Sequence, residues 1–346
     1  MNSAEQHGRF IIREGAEGYD SICTILEQKA GYELINLSKD SMAGIRPKLK
    51  QIQDGLKSCK PLRCLKGKIA SAERIVVIGN FAAIFVLIMN AWEEIKPEKL
   101  YWWGFFFHGQ RAKRFVKAFM RRYYRENVKL IIFSECEREM YAEEMDLPES
   151  AFISIPYGDW ANACAEETDS SVDFETSNYY FSGGYSNRDY VWLHREFEKM
   201  PERRLVIAAS SNNTDLKEYI AAGHGKENIQ VVYDVPSAEF DRLLAGAKAC
   251  IMPFKADTGA SGQSVTLRCM RLNKLIIATD TAIMREYVVN GETGLLFERE
   301  SDLTPVLEMV ETDPGRTEKM TVNSRRLFEE QFAYETIAGK LIAALA

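Results

Sequence analysis

Two adjacent glycines and an arginine follow a short apolar run in the second half of the chain. The run covers residues 179–182, Gly183 and Gly184 come next, and Arg188 stands four residues further on. Glycines let a phosphate approach the backbone closely, and an arginine at the start of a following helix adds a forked cation beside the positive helix end. The spacing is typical of a diphosphate site. A strand-exit turn with a solvated arginine would have the same sequence.

A second loop of small residues lies between the apolar run 249–252 and a predicted helix that ends near Arg271. Backbone amides at such a helix start attract anions, although a plain capping loop with a serine cap fits the pattern as well. Both loops follow strands of one predicted sheet, so we expect them at the same crevice, which favours a nucleotide diphosphate. The proline-fixed turn at Val235 could present backbone groups to a base edge, or simply begin a helix. We predict that the nucleotide is bound by Gly183, Gly184, Arg188, Val235, Ser261, Gly262, Gln263, Ser264 and Val265.

Residues 111–125 carry seven basic side chains, no acidic one, and several aromatic ones. This mixture suits the surface of an anionic membrane, where each basic residue contributes about 1 kcal/mol and aromatic rings insert at the boundary. An amphipathic helix that packs its aromatic side on a sheet and leaves a solvated basic face would also explain it. Nucleic acid is not expected, because the whole chain has a net charge of -6. The predicted membrane contacts are Arg114, Lys117, Arg121 and Arg122.

Two series of short apolar runs must position these segments. Continuously apolar strands that alternate with helix-length segments indicate parallel sheets covered on both faces, and such sheets bind ligands at the carboxyl ends of their strands. The runs are residues 9–13, 33–37, 74–78, 100–103, 129–133 and 152–155 in the first series, and 179–182, 204–208, 229–233, 249–252, 275–278 and 294–297 in the second. The fold class is therefore α/β, with two doubly wound, Rossmann-like domains.

The almost wholly apolar stretch from Ile75 to Trp92 is about long enough to cross a bilayer as one helix. However, Ile75 to Ile78 is a β-branched run that ends at Gly79-Asn80, and Asn80 is a good N-cap for a helix from Phe81 to Ile95. A buried strand followed by a buried helix explains the stretch better than a membrane span.

Length and composition set the outer limits. The chain has 346 residues, of which 46% are hydrophobic and 27% charged, so it is globular and large enough for two domains. We expect domains at 1–158 and 178–330 with an acidic linker at 159–177, and a final helix at 331–346. The seven cysteines are odd in number and include no pair separated by two residues, which favours a reducing cytosol. The four histidines share no metal-ligand spacing, so we predict no structural zinc.

The chain resembles a known family in the order and spacing of several segments. They are Ser182-Gly183-Gly184 to Arg188-Asp189, residues 235–247 (VPSAEFDRLLAGA), Met252-Pro253, residues 276–280 (IIATD), 285–288 (REYV) and 290–296 (NGETGLL). Together they look like the donor-binding half of the GT-B glycosyltransferases called glycosyl transferases group 1. Residues 134–137 (SECE) and 155–158 (IPYG) are similar to the end of that family's acceptor domain. The resemblance covers about residues 128 to 345 and is weak before residue 100.

The resemblance implies the GT-B fold, in which two domains face each other across a cleft and the last helix crosses back to the N-terminal domain. It implies that the second domain holds a sugar nucleotide, that Arg188 contacts the diphosphate, and that amides near Ser264 and Val265 form the phosphate-binding helix start. It also implies that no cofactor and no divalent metal is needed, because basic side chains and a helix N-terminus neutralise the leaving diphosphate.

Two positions depart from the family pattern. The family usually carries two glutamates eight positions apart, where this chain has Ala260 and Arg268. Arg268 could bind phosphate instead, or lie on the solvent face of its helix. Glu286 matches a better retained position and could take part of the donor contact. Donor identity and stereochemistry therefore do not carry over from the family.

Three residues of the first half are candidates for acceptor chemistry. His108 follows the strand at 100–103 and could bind a sugar hydroxyl or act as a base, or have no chemical duty. Glu17 and Asp20 lie in a glycine-rich loop after the first strand, where acceptor-side carboxylates occur in GT-B folds. Neither carboxylate is preferred over the other.

We expect a cytoplasmic glycosyltransferase at the inner face of the cell membrane. It would move a sugar from a nucleotide-diphosphate sugar to a saccharide acceptor, lipid-linked, in surface polysaccharide or glycoconjugate synthesis. The alternative is a noncatalytic GT-B partner subunit that has lost its glutamates and binds another transferase or the acceptor. A sugar-nucleotide epimerase is less well supported, because it would leave the basic segment without a role.

Overall fold

Alternating strands and helices fill the described part of the computed structural model, which comprises residues 8–14, 20–37, 60–107, 109–158, 178–256 and 259–346. Every predicted strand is present, and its ends differ from the prediction by at most one residue. Continuous β-branched and aromatic runs therefore predicted the strands well, because both faces of these sheets are buried. The linker predicted at 159–177 lies outside the described residues.

The elements up to residue 158 are, in chain order, β1 (Arg9–Arg13), α1 (Asp20–Ala30), β2 (Glu33–Asn36), α2 (Lys60–Ile69), β3 (Arg74–Ile78), α3 (Asn80–Ala91), β4 (Lys99–Trp103), α4 (Gln110–Tyr123), β5 (Val128–Ile132), α5 (Cys136–Met145) and β6 (Phe152–Ser154). Those from residue 178 are β7 (Tyr179–Gly183), α6 (Tyr190–Glu198), β8 (Arg204–Ala209), α7 (Thr214–Tyr219), β9 (Ile229–Tyr233), α8 (Ser237–Ala245), β10 (Ala249–Met252), α9 (Gln263–Arg271), β11 (Leu275–Thr279), α10 (Ala282–Tyr287), β12 (Leu295–Phe297), α11 (Thr304–Thr312), α12 (Pro314–Gln331) and α13 (Tyr334–Leu345).

The strands form two six-stranded sheets. The first has the order β2-β1-β3-β4-β5-β6 and the second the order β12-β11-β10-β7-β8-β9, and every neighbouring pair is parallel. The α/β prediction of two doubly wound parallel sheets is thus confirmed. In each sheet the strand order reverses direction beside its first strand, β1 or β7, and loops at such a switch point bind ligands in open α/β folds.

The described residues group into two compact units. The first takes in those up to Pro156 together with Ile337–Ala346, and the second takes in Tyr157, Gly158 and those from Asn178 to Thr336. Each unit has its own apolar core, centred on residues such as Trp102 in the first and Phe197 in the second.

The apolar stretch after β3 folds as a strand and a helix, as predicted, but the helix differs at both ends. Gly79, with φ 115°, is the N-cap residue in place of Asn80, and α3 ends at Ala91 rather than Ile95. The carboxylate of Glu14, at the end of β1, accepts a hydrogen bond from the backbone N–H of Ala82 at 2.9 Å. A neighbouring strand therefore supplies the capping acceptor, which the local sequence could not reveal.

Within the described ranges, no helix has both the length and the apolar character that a bilayer-spanning helix needs.

Candidate functional site

The loop after β10 leads into α9, whose N-cap residue provides no side-chain acceptor. Gly262 holds this position with φ 92° and no capping hydrogen bond. A Cβ at Gly262 would lie 2.5 Å from Phe254 Cζ, so both the backbone conformation and the packing require glycine. The positive end of the α9 dipole is consequently available to an anion.

The turn after β7 contains two glycines because its backbone runs close to other side chains. A Cβ at Gly183 would lie 2.4 Å from Phe240 Cζ, and one at Gly184 would lie 2.8 Å from Arg188 Nη2. Gly184 also has φ 116°, a conformation that side chains rarely adopt. Each glycine thus meets a steric requirement, and Gly184 meets a conformational one as well.

This turn and the start of α9 line one cavity of about 420 Å³, which we call the glycine cavity. Its lining includes Gly184 from the turn after β7, Val235 from the turn after β9, and Ser264, Val265 and Arg268 from α9. The structure therefore brings together segments from three loops that sequence reasoning had joined. The side chain of Tyr185, 60% exposed, lies at the rim.

Arg268 provides the cation of the glycine cavity. Its guanidinium donates to Ser237 Oγ at 2.8 Å and to Asp241 Oδ1 at 3.1 Å, and it lies 5.1 Å from the centre of the Phe240 ring. Arg271, one turn along α9, donates to the other oxygen of Asp241 at 3.3 Å. Two arginines thus share one carboxylate. Of the two roles considered for Arg268, the structure favours the cavity over a plain solvent face.

Arg188 is placed differently from the expectation. Its side chain is only 4% exposed, donates to the carbonyl oxygens of Gly183 and Ser186, and lies 4.5 Å from the centre of the Phe254 ring. It lines a neighbouring cavity and not the glycine cavity. Burial lowers the pKa of its guanidinium below the usual value. Direct diphosphate contact by Arg188 therefore stays a prediction, whereas its support of the turn is visible.

Four further residues predicted to bind nucleotide do not line the glycine cavity. Ser261 and Gln263 have buried side chains, and Gly183 and Gly262 shape the turns through their backbones. These four residues are neighbours in sequence of residues that line the cavity, and they hold the backbone of its walls in place. Motif spacing in the sequence does not distinguish such supporting residues from those that line the cavity.

The candidates for acceptor chemistry are only partly described. His108 and Glu17 lie outside the described residues. Asp20 begins α1, and its carboxylate accepts a hydrogen bond from Arg13 at 2.7 Å while remaining 76% exposed. Glu286 is half-buried on α10 in the second unit.

Sequence reasoning did not single out Glu14, a buried carboxylate of the first unit. It follows β1 at the carboxyl end of the first sheet, and one of its carboxylate oxygens is buried without a hydrogen-bond partner among the described groups. Burial raises the pKa of its carboxyl above the usual value, although the backbone N–H groups of Ala82 and Phe81 lower it. The sequence signal was the position directly after a buried strand.

The basic segment forms α4, and the helix is amphipathic. Val116, Phe119 and Met120 are buried, whereas Phe115 is 60% exposed. Arg114, Arg121 and Arg122 are exposed and Lys117 is half-buried; Arg121 pairs with Asp146 at 3.0 Å. The packing of this apolar side agrees with the interpretation of an amphipathic helix on a sheet, whereas contact with a membrane stays a prediction. No group of three or more His, Cys, Asp or Glu side chains that could hold a metal occurs among the described residues.

One family model and several solved structures match the chain. A family model described as glycosyl transferases group 1 matches residues 177–309. No curated protein sequence matches the chain. HepE from Anabaena, solved in complex with UDP, is 14% identical, with a TM-score of 0.70 over 97% of this chain and 99% of that one.

Two further solved structures agree with this. Sucrose-phosphate synthase from Thermosynechococcus elongatus is 14% identical, with a TM-score of 0.71 over 96% of this chain and 97% of that one. WaaG, a glycosyltransferase involved in lipopolysaccharide biosynthesis, is 11% identical, with a TM-score of 0.66 over 97% of this chain and 99% of that one. The chain therefore has the GT-B fold, and its residues 177–309 match the glycosyl transferases group 1 family.

Proposed function

We propose that the chain is a glycosyltransferase that moves a sugar from a nucleoside diphosphate sugar to a saccharide acceptor, with the donor bound in the glycine cavity. The observation that carries this proposal is the convergence of Gly184, the start of α9 and the Arg268 guanidinium on one cavity. When the bond between the anomeric carbon and the diphosphate oxygen breaks, negative charge grows on that oxygen. A fixed helix N-terminus and a fixed cation stabilise this charge without reorganisation.

The charges around the cavity suit a diphosphate. Arg268 is a cation on the wall of the glycine cavity, and its carboxylate partner Asp241 is shared with Arg271. The Arg188 guanidinium packs against the backbone of Gly184, and it donates hydrogen bonds to carbonyl oxygens rather than to a carboxylate. We infer that Arg188 holds the turn in shape and adds its field to the cavity, while Arg268 contacts the phosphate.

The solved relatives support a nucleotide sugar as donor. HepE was solved with UDP, with UDP and glucose, and with UDP-glucose. WaaG is a glycosyltransferase involved in lipopolysaccharide biosynthesis. UDP sugars are accordingly the first donors to test here, and the synthesis of a surface polysaccharide or glycoconjugate is the process we propose.

We further propose that the acceptor is lipid-linked and that α3 and α4 contact an anionic membrane. One side of α3 carries half-buried apolar side chains, and the residue after α3, Trp92, is 59% exposed. The rings of Trp92 and Tyr123 of α4 pack edge to face, with 6.3 Å between their centres. The half-buried apolar side of α3 therefore adjoins the arginines of α4. Aromatic and apolar side chains beside a basic strip suit a lipid boundary. This apolar side of α3 and the residue after it comprise Phe81, Ile84, Phe85, Ile88 and Trp92.

For the transfer step we propose that no divalent metal is required and that a carboxylate or imidazole activates the acceptor hydroxyl. Glu17, Asp20 and His108 remain the candidates for this base, and Glu286 the candidate for contact with the donor sugar. We add Glu14 to the candidates for the base, because it lies at the carboxyl end of the first sheet and burial raises its carboxyl pKa, which makes the carboxylate a stronger base. Activity that persists in excess EDTA is the expected outcome, and its loss with recovery on added Mg²⁺ would contradict metal independence.

The competing function is a noncatalytic partner subunit. It is favoured by Ala260 and Arg268, which stand where the family usually has glutamates. Such a subunit would have no need of a cation in the glycine cavity, yet Arg268 occupies it.

The decisive experiment combines binding with product analysis. The full chain is titrated calorimetrically with a panel of nucleoside diphosphates, and the corresponding sugar donors are incubated with saccharide and lipid-linked acceptors, with products identified by NMR. We expect one nucleoside diphosphate to bind and its sugar donor to yield a glycosidic product. Binding without any product would favour the partner function, and absence of binding across the panel would refute the donor site.

A further inference from the structure

A second cavity lies on the other side of the turn after β7. It has a volume of about 430 Å³, and we call it the lysine cavity after Lys255. Its walls are the turn itself, Lys255 from the loop after β10, and residues 210–215 from the loop after β8. All three segments follow the carboxyl ends of strands in one sheet, the edge at which α/β folds bind ligands.

Every described residue that lines this cavity has a polar group on its side chain. Hydroxyl and amide side chains come from Ser210, Asn212, Asn213 and Thr214, and Tyr185 supplies an exposed aromatic ring at the rim. Closely spaced hydroxyl and amide side chains beside one exposed aromatic ring suit the recognition of a sugar. The hydroxyls of the sugar can hydrogen-bond to the polar side chains, and the face of the sugar ring can pack on the aromatic ring.

The charges of the cavity add an anion preference. Lys255 Nζ and Asp215 Oδ2 form an ion pair at 2.5 Å between two of the walls, and they neutralise each other. Arg188 lines the same cavity, is almost fully buried, and has only carbonyl acceptors among its hydrogen bonds. The described residues that line the cavity therefore sum to one positive charge, and a ligand with one anionic group would balance a cation that is costly to bury alone.

We propose that the lysine cavity binds a monosaccharide that carries a phosphate or carboxylate group, at a site separate from the glycine cavity. Hydroxyls of the sugar would meet Asn212, Thr214 and Asp215, and its anionic group would meet Lys255 and Arg188. The site does not depend on the proposed transferase activity, since the two cavities have different linings apart from Tyr185.

The turn couples the two sites. Tyr185 lines both cavities, while Gly184 and Ser186 line one and Arg188 lines the other. A ligand that orders this turn from one side changes the affinity of the cavity on the other side. By linkage, a ligand in that second cavity changes the affinity for the first ligand by the same factor. Occupancy of the lysine cavity should therefore change the affinity for a nucleoside diphosphate, and the reverse.

The test is calorimetric titration of the full chain with glucose 6-phosphate, glucose 1-phosphate, glucuronate, glucose and inorganic phosphate. We expect at least one anionic sugar to bind more tightly than glucose and phosphate, with Lys255→Ala and Asn212→Ala each weakening it by about tenfold. Lys217→Ala is the matched control, because this exposed lysine lies on α7 over Tyr233 and does not line the cavity. Thermal melting of each variant verifies folding.

Three results would overturn the proposal. Failure of all three anionic sugars to bind would remove the site. Equal affinity for inorganic phosphate and the best sugar would leave an anion site without sugar recognition. Full displacement of the sugar by UDP, together with loss of binding in Arg268→Ala but not in Lys255→Ala, would place the sugar in the glycine cavity instead.

Discussion

Replacing Arg268 by alanine removes the cation of the glycine cavity and leaves the turn and the start of α9 in place. The guanidinium also holds Ser237 and Asp241. A charge-assisted hydrogen bond contributes roughly 1.5 to 3 kcal/mol, and 1.4 kcal/mol corresponds to a factor of about ten in affinity. We expect the Kd of the best nucleoside diphosphate to rise by about 10- to 100-fold, while the Kd of the bare nucleoside changes little.

The assay is calorimetric titration of both ligands at low and high salt. The effect on the diphosphate should shrink at high salt, because Arg268 is partly exposed and its field is screened. Arg268→Lys should recover part of the loss, since it keeps the charge without the forked geometry.

Arg271→Ala is the matched control for this prediction. Arg271 lies on the same helix and donates to the same carboxylate, but it does not line the cavity. If Arg271→Ala weakens diphosphate binding as much as Arg268→Ala does, the effect arises from the loss of contacts to Asp241 between α8 and α9. Unchanged affinity in Arg268→Ala would refute the assignment of this cation to the phosphate.

Gly262→Ala should lower the free energy of unfolding by about 1 to 3 kcal/mol in urea titrations and weaken diphosphate binding. The reasons are the positive φ of Gly262 and the 2.5 Å that would separate the new Cβ from Phe254 Cζ. An unchanged urea midpoint would contradict this. Burial lowers the pKa of His194 below 6.5 in the folded chain, so the unfolded chain binds the proton first. Stability should therefore fall as the pH drops below about 6.5 and level off below the folded pKa, a slope that His194→Gln should reduce. Arg114→Glu combined with Arg122→Glu should abolish flotation with anionic vesicles, and retained flotation would retire the membrane contact.

Strand positions could be predicted from the sequence because they depend on local runs of apolar residues. The meeting of Gly184 with Ser264 and Val265 could also be predicted, since parallel strands place their following loops at one edge. Both inferences use only the chain direction and the order of elements.

Side-chain direction was beyond such reasoning. Arg188 lies under the turn because Phe254, in the loop after the neighbouring strand β10, packs its ring against the guanidinium. Arg268 lies in the cavity because Ser237 and Asp241 of α8 hold it there. In both cases the partner is distant in sequence, so no local pattern marks which arginine faces the ligand.

The turn after β7 is tied to the loop after β10 along its length. Asn187 Nδ2 donates to the carbonyl oxygen of Ala256 at 2.7 Å, and the backbone N–H groups of Asp189 and Lys255 donate to Pro253 and Asn187 at 2.9 Å and 3.2 Å. A diphosphate would thus meet a surface that is already shaped, and little conformational entropy would be lost on docking. Calorimetry of diphosphate binding should accordingly show a small entropic penalty and only a modest heat-capacity change, as expected for a preformed site rather than one that folds on binding its ligand.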